Sequence, residues 1–138
     1  MLFRSETAPM DFTGKRLLLA EDNELNAELA VELLGQMGFR VDVAEDGAKA
    51  LAAVEAPGGE TYNGILMDLQ MPNMDGLEAA RRIRALPDKR RASVPIIAMT
   101  ADAFQESRQA ALDAGMDAHV IKPIEPWKLA ETLRKLLR

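Results

Sequence analysis

The stretch Gly64-Ile65-Leu66-Met67-Asp68-Leu69-Gln70-Met71-Pro72-Asn73-Met74-Asp75-Gly76 decides the fold. A short apolar run is closed by a carboxylate and then by turn-forming residues, which reads as a strand ending where a loop turns back. Upstream, Leu17-Leu18-Leu19-Ala20 ends in Glu21-Asp22; downstream, Ala118-His119-Val120-Ile121 ends in Lys122-Pro123. In an open parallel sheet the carboxyl ends of the strands converge on one crevice, the usual place for ligand chemistry. Three carboxylates and one lysine are expected to meet there.

Working outward, β-type runs at Arg16–Ala20, Arg40–Ala44, Gly64–Asp68, Pro95–Met99 and Ala118–Ile121 alternate with helical patterns. The helices are expected at Glu24–Met37, Gly47–Ala56, Asp75–Leu86, Asp102–Ala114 and Pro126–Leu137. Five alternating pairs imply parallel βα units in an α/β fold. In the first helix Leu25, Leu29, Leu33 and Met37 recur at every fourth position and are expected to pack as a stripe on the sheet, with Asn23 as cap and Gly38 as stop. Right-handed crossovers divide the helices between both faces, and the natural arrangement is the doubly wound, flavodoxin-like order 2-1-3-4-5. That order sets Glu21 and Asp22 beside Asp68. Ala56-Pro57-Gly58-Gly59-Glu60 is the clearest internal loop, and no repeat or low-complexity segment interrupts the chain.

The 138 residues fit one domain, and 48% hydrophobic with 28% charged residues is an ordinary soluble balance. No apolar run approaches the roughly 20 residues of a membrane span. Residues 1–14 read as a flexible linker or tag-like tail, and 15–138 as the folded domain. The absence of cysteine excludes disulfides, thiol catalysis and thiolate metal sites, and is compatible with a reducing cytoplasm. A net charge of −5 argues against binding along nucleic-acid phosphates. The basic cluster Lys89-Arg90-Arg91, with Arg81, Arg82 and Arg84, reads as a solvated helix face running into a loop.

Three close carboxylates repel one another and raise each other's proton affinity unless a cation lies between them. Oxygen ligands without Cys or clustered His favour a hard ion, Mg²⁺ before Ca²⁺ or Mn²⁺.

Four motifs in order, Glu21-Asp22-Asn23, Met67-Asp68-Leu69-Gln70-Met71-Pro72, Met99-Thr100-Ala101 and Ile121-Lys122-Pro123, closely resemble the signature of two-component response-regulator receiver domains. The resemblance runs from about Lys15 to the C-terminus. Glu21-Asp22-Asn23-x-x-Asn26, Gln70-Met71-Pro72-x-Met74-Asp75-Gly76, Thr100-Ala101-Asp102-Ala103 and Ala114-Gly115-Met116-Asp117 are most similar to receivers of hybrid sensor histidine kinases. The resemblance implies Asp68 as phosphoacceptor, and Asp22, Asp68 and the Gln70 carbonyl as direct Mg²⁺ ligands, with Glu21 holding a metal-bound water. The Lys122 ammonium, the Thr100 hydroxyl and the Ala101 backbone N–H would receive the phosphoryl oxygens. Lys122–Pro123 is expected to be cis. Gln70 and Asp102 occupy the positions that tune aspartyl-phosphate lifetime.

Plainer readings stand beside these. Asp22 or Asn23 alone can cap a helix, Asp68 can open a turn, Thr100 can cap the helix behind it, and Lys122 can be solvated. Met67, Met71, Met74, Met99 and Met116 read as core and loop packing. His119 stands where receivers carry an aromatic switch partner of Thr100, and is either such a switch or a passive, partly exposed residue.

The resemblance implies a receiver that catalyses its own aspartyl phosphorylation and dephosphorylation, its partners being a histidine kinase and a histidine phosphotransfer protein. Its signal would leave through the surface of the fourth expected helix, last strand and last helix, where a phosphorylation-dependent dimer could form. Two contexts fit: a stand-alone regulator, or a receiver from a hybrid kinase, in the cytoplasm or on the cytoplasmic side of a membrane-bound kinase. The rival readings are a degenerate receiver acting as a binding module, and an aspartyl-nucleophile phosphatase. The second would place another aspartate where this chain has Gln70.

Overall fold

The computed structural model describes residues 11–56, 61–101 and 105–137. Five strands, β1 (Arg16–Ala20), β2 (Arg40–Ala44), β3 (Gly64–Asp68), β4 (Ile96–Thr100) and β5 (Ala118–Ile121), form one parallel sheet in the order 2-1-3-4-5. The helices are α1 (Glu24–Gln36), α2 (Gly47–Glu55), α3 (Gly76–Arg84), α4 (Lys89–Ala92), α5 (Gln105–Asp113) and α6 (Pro126–Leu136). This is the expected doubly wound, flavodoxin-like α/β fold.

Side chains alternate across each strand, so β1 feeds two cores. Leu17 and Leu19 meet Ala27 and Leu34 of α1 and Leu129, Ala130 and Leu133 of α6. Leu18 and Ala20 meet Ala50 and Val54 of α2, Ala79, Ala80 and Ile83 of α3, and Ala111 of α5. The central strands β3 and β4 are buried along their whole length. Each fully buried Leu, Ile or Met contributes about 1.5–3 kcal/mol. Helix starts are fixed by side-chain caps: Asn23 accepts from the Asn26 N–H, Asp46 from Lys49 and Asp75 from Glu78. The five methionines read as packing residues all lie in or against these cores.

The stripe expected on α1 is corrected. Leu25 and Leu29 are 64% and 62% exposed, while Leu33 packs partly buried against the core and Met37, the residue after the helix, is buried; within the helix the buried residues are Ala27 and Leu34. A strict four-residue repeat precesses around a 3.6-residue helix, so Leu25 and Met37 point about 120° apart. Small Ala27 is the side chain that allows close approach to the sheet.

Arg81, Arg82, Lys89 and Arg90 of the basic cluster are exposed as expected, and the solvated reading is corrected at Arg84 and Arg91. Lys89–Ala92 is a helical turn capped by Asp88. Arg84 donates to the carbonyls of Gly115, Ala92 and Val94 and pairs with Asp117, while Arg91 reaches the Val54 carbonyl. Strand β4 begins one residue later than expected, at Ile96.

Phe12, on the tail side of the expected boundary at 14, is buried and stacks on Phe39 at 4.6 Å, and its N–H donates to the Met37 carbonyl. Residues 1–10 of the expected tail, residues 57–60 of the expected loop, and Asp102, Ala103 and Phe104 lie outside the described residues. No helix among the described residues is long and apolar enough to cross a membrane.

Candidate active site

The three acids, Thr100 and Lys122 stand at the carboxyl ends of strands. Glu21 and Asp22 follow β1, Asp68 closes β3, Thr100 closes β4 and Lys122 follows β5. Because β1 and β3 are neighbours, carboxylate oxygens of Glu21, Asp22 and Asp68 lie within 4.8 Å of one another. Glu21 and Asp68 are buried, and Asp22 is exposed at the mouth. The Lys122 ammonium bridges the two buried acids, at 2.9 Å from Glu21 Oε1 and 3.0 Å from Asp68 Oδ2.

Backbone bonds hold these groups in place. The Lys122 N–H donates to the Thr100 carbonyl at 2.8 Å, and the Lys122–Pro123 peptide is cis, as expected. The Gln70 N–H donates to Asp68 Oδ1 at 3.2 Å, which turns the chain back over the carboxylate. The Asn23 N–H donates to Glu21 Oε2 at 3.1 Å. Asn23 itself is the α1 cap, leaving Asp22 to the cluster.

Burial pushes the Glu21 carboxyl above its ordinary range, against the opposing pull of Lys122 and the Asn23 N–H, and the Asp68 charge adds to the rise. Burial works against the Lys122 charge, but its bonds to Glu21 and Asp68 outweigh that and hold the ammonium above the usual lysine value. Three carboxylates against one ammonium leave the cluster two charges negative in its ionised form. A hard divalent cation fits both the oxygen donors and the charge.

Thr100 is buried at the sheet end, and Ala101 begins the segment beyond it. The register pairs Ala98 with His119 and Thr100 with Ile121, so Thr100 and His119 are diagonal neighbours on one sheet face. His119 is half-buried, its proton affinity lowered by burial and then by Arg108. It does not belong to the carboxylate cluster. Gln70 is exposed beside the site.

The sequence reading missed the residues that hold the loop after Asp68. Asn73 has a φ of +68°, and its side-chain amide donates to buried Asp46 at 2.8 Å. The Gly47 N–H donates to the Met74 carbonyl, and a Cβ at Gly47 would stand 2.2 Å from that oxygen. An Asp-Gly pair opening a helix is the local signal that was available.

A profile of the response regulator receiver domain matches residues 17–134. This chain belongs to that receiver family. It is 37% identical over 131 residues to hybrid signal transduction histidine kinase L of Dictyostelium discoideum, covering 94% of this chain and 8% of that protein. It is 38% identical over 128 residues to the sensor protein GacS of Pseudomonas syringae pv. syringae, covering 92% and 14%. The receiver thus spans a small fraction of the curated relatives it matches.

Among solved structures it resembles the receiver domain of the sensor histidine kinase PA1611 from Pseudomonas aeruginosa PAO1, which has a magnesium ion coordinated in its active-site cleft. The TM-score is 0.81 at 38% identity, covering 91% of this chain and 98% of that one. It also resembles the chemotaxis protein CheY4 of Vibrio cholerae, with a TM-score of 0.78 at 26% identity over 89% and 98% of the two chains.

Proposed function

We propose that this receiver, residues 15–138 in the sequence reading with Phe12 packed against it, accepts a phosphoryl group from a histidine kinase phosphohistidine onto Asp68. The observation that carries the reading is the bridge from Lys122 to Asp68 and Glu21, beside the Asp22 carboxylate. Asp22, Asp68 and the Gln70 carbonyl hold Mg²⁺, or Mn²⁺ in its stead, with Glu21 as an outer carboxylate. The bound ion supplies positive charge to the acids and to the incoming phosphoryl oxygens.

An Asp68 carboxylate oxygen bonds to phosphorus as the P–N bond to the donor imidazole breaks, leaving its electron pair on nitrogen. Charge builds on the equatorial oxygens, so donors already in position lower the barrier. Lys122 follows that charge from Asp68 Oδ2 to a phosphoryl oxygen. The Thr100 hydroxyl and Ala101 N–H donate to the others. Gln70 and Asp102 tune how readily water later cleaves the acyl phosphate.

The diagonal pairing of Thr100 with His119 supports a readout in which Thr100 moves toward the phosphoryl group and His119 reorients behind it. The signal then leaves through the face of α5, β5 and α6, by a phosphorylation-dependent dimer or another protein. The hybrid-kinase relatives favour a receiver that passes its phosphoryl group on to a histidine phosphotransfer protein in the cytoplasm.

The test is intact mass after incubation with acetyl phosphate and Mg²⁺, with Asp68→Asn and a chelator as controls. A metal-dependent, hydroxylamine-labile adduct lost in Asp68→Asn supports phosphoacceptance. No adduct, even from phosphorylated donor kinases, makes the chain a binding module; rapid turnover of phosphate esters makes it a hydrolase.

A further inference from the structure

A concave surface lined at one end by Glu21 and Asp22 of the acidic cluster runs along the outer side of α1 toward edge strand β2. It is a groove of about 950 Å³, within the range of small-ligand and peptide-anchor pockets. Its floor is apolar: Ala27 and Val31 from α1, Val43 from β2, and Pro72 from the loop after Asp68. Val43 is 47% exposed, although Val41, two residues earlier on the same face, packs against the core. The strand therefore leaves a β-branched side chain uncovered on its helix-bearing face.

The walls are predominantly acidic. Glu24, Glu28 and Glu32 recur at every fourth position and form a single acidic ridge on α1, all exposed. Like charges at this spacing oppose helix formation, and α1 contains no lysine or arginine to offset them. Across the groove stands Glu45, and the one lining cation, Lys49, is engaged by Glu45 at 2.6 Å. Glu24 sits favourably in the first turn, but Glu28 and Glu32 gain nothing from the helix dipole. A ligand that brings positive charge alongside apolar contact would gain from the ridge.

We infer that the groove between α1 and β2 is a docking site for a basic amphipathic helix of a partner protein. Its apolar side chains would cover Val31 and Val43, and its Lys or Arg residues would face Glu24, Glu28 and Glu32. From Glu24 to Glu32 the acidic ridge covers nine residues, a rise of about 12 Å, or roughly two turns of such a helix. Charge complementarity of this kind selects partners and speeds encounter. The surface differs from the exposed Leu25 and Leu29 side chains and from the α5, β5 and α6 face.

The probe is a capped helical peptide of about fourteen residues, Leu on one face and Lys on the other, titrated into ¹⁵N-labelled protein in chelator. Working without divalent cation makes the result independent of phosphoryl transfer at Asp68. Saturable amide shifts centred on Ala27, Val31, Val43 and Lys49 are expected. Glu28→Lys with Glu32→Lys should weaken binding about tenfold or more, and Val43→Ser about threefold. Leu25→Ser with Leu29→Ser should leave it unchanged. The docking site is refuted by absent or non-saturating shifts, by shifts centred elsewhere, by equal binding of a scrambled peptide of the same composition, or by loss of binding in the Leu25/Leu29 variant alone.

Discussion

Lys122 and Asp68 lie 54 positions apart in the chain, yet Lys122 Nζ stands 3.0 Å from Asp68 Oδ2. The same ammonium reaches Glu21, so one cation holds together acids that would otherwise repel. Lys122→Ala removes it and leaves two buried carboxylates beside Asp22. With Lys122 partly exposed, the cost in chelator should be about 1–3 kcal/mol, below that of a fully buried pair. Saturating Mg²⁺ should then raise the melting temperature of Lys122→Ala more than that of the parent, because the ion takes over the missing charge. Thermal melts with and without Mg²⁺ check this, and equal shifts would count against the bridge.

Gly76 is the first residue of α3, and a Cβ there would stand 2.2 Å from the Asp68 carbonyl oxygen and 2.9 Å from Met67 Cγ. The backbone on which the Asp68 carboxylate hangs is therefore in direct contact with the start of the helix. Gly76→Ala must displace one or the other, at about 1–3 kcal/mol. Urea unfolding should report that loss, and Mg²⁺ titration a weakened site. An alanine variant of parental stability would mean that the contact relaxes freely.

The convergence of Glu21, Asp22, Asp68 and Lys122 was legible because each follows or closes a short apolar run, a local signal, whereas the 2-1-3-4-5 order rested on crossover handedness and on the resemblance to receiver domains. The cis Lys122–Pro123 peptide was legible from the proline itself, before which the cis form is accessible. The packing of α1 was not, because choosing between the Leu25-Leu29 stripe and the Ala27-Leu34 stripe requires knowing how closely the helix approaches β1. Leucine looks like core by composition, but alanine is what fits between a helix and a sheet. Nor were the partners of Asp46, Arg84 and Arg91 legible, since each bonds to groups that only the fold brings near.

Arg84 shows what that long-range information contains. Its guanidinium donates to Gly115 O at 2.8 Å, Ala92 O at 2.6 Å and Val94 O at 2.8 Å, and pairs with Asp117 Oδ2 at 2.9 Å. Asp117 in turn accepts from the Ile96 N–H, tying the start of β4 to the end of α3. A lysine has one nitrogen and cannot reproduce the fork. Arg84→Lys should destabilise by about 1–3 kcal/mol through unpaired carbonyls. Amide exchange should rise at Ile96 and Asp117, and an unchanged exchange pattern would mean that the carbonyls find other donors.

At the other end of the sheet the only tyrosine provides a pH probe. The Tyr62 hydroxyl donates to Asp42 at 2.7 Å, Arg16 pairs with the same carboxylate at 2.9 Å, and its guanidinium lies 4.6 Å from the ring centre. Burial, then the bond to Asp42 and its charge, push the phenol up from 10.0 to about 12. The folded state thus holds the proton more tightly than the unfolded chain. That contribution to stability is fully present below pH 10 and is lost as the pH rises toward 12. Phenolate absorbance should titrate about two pH units later in the folded protein than in urea, and Asp42→Asn should bring the folded midpoint down. Coincident midpoints in the folded and unfolded chains would mean that the Tyr62–Asp42 bond is not kept in solution.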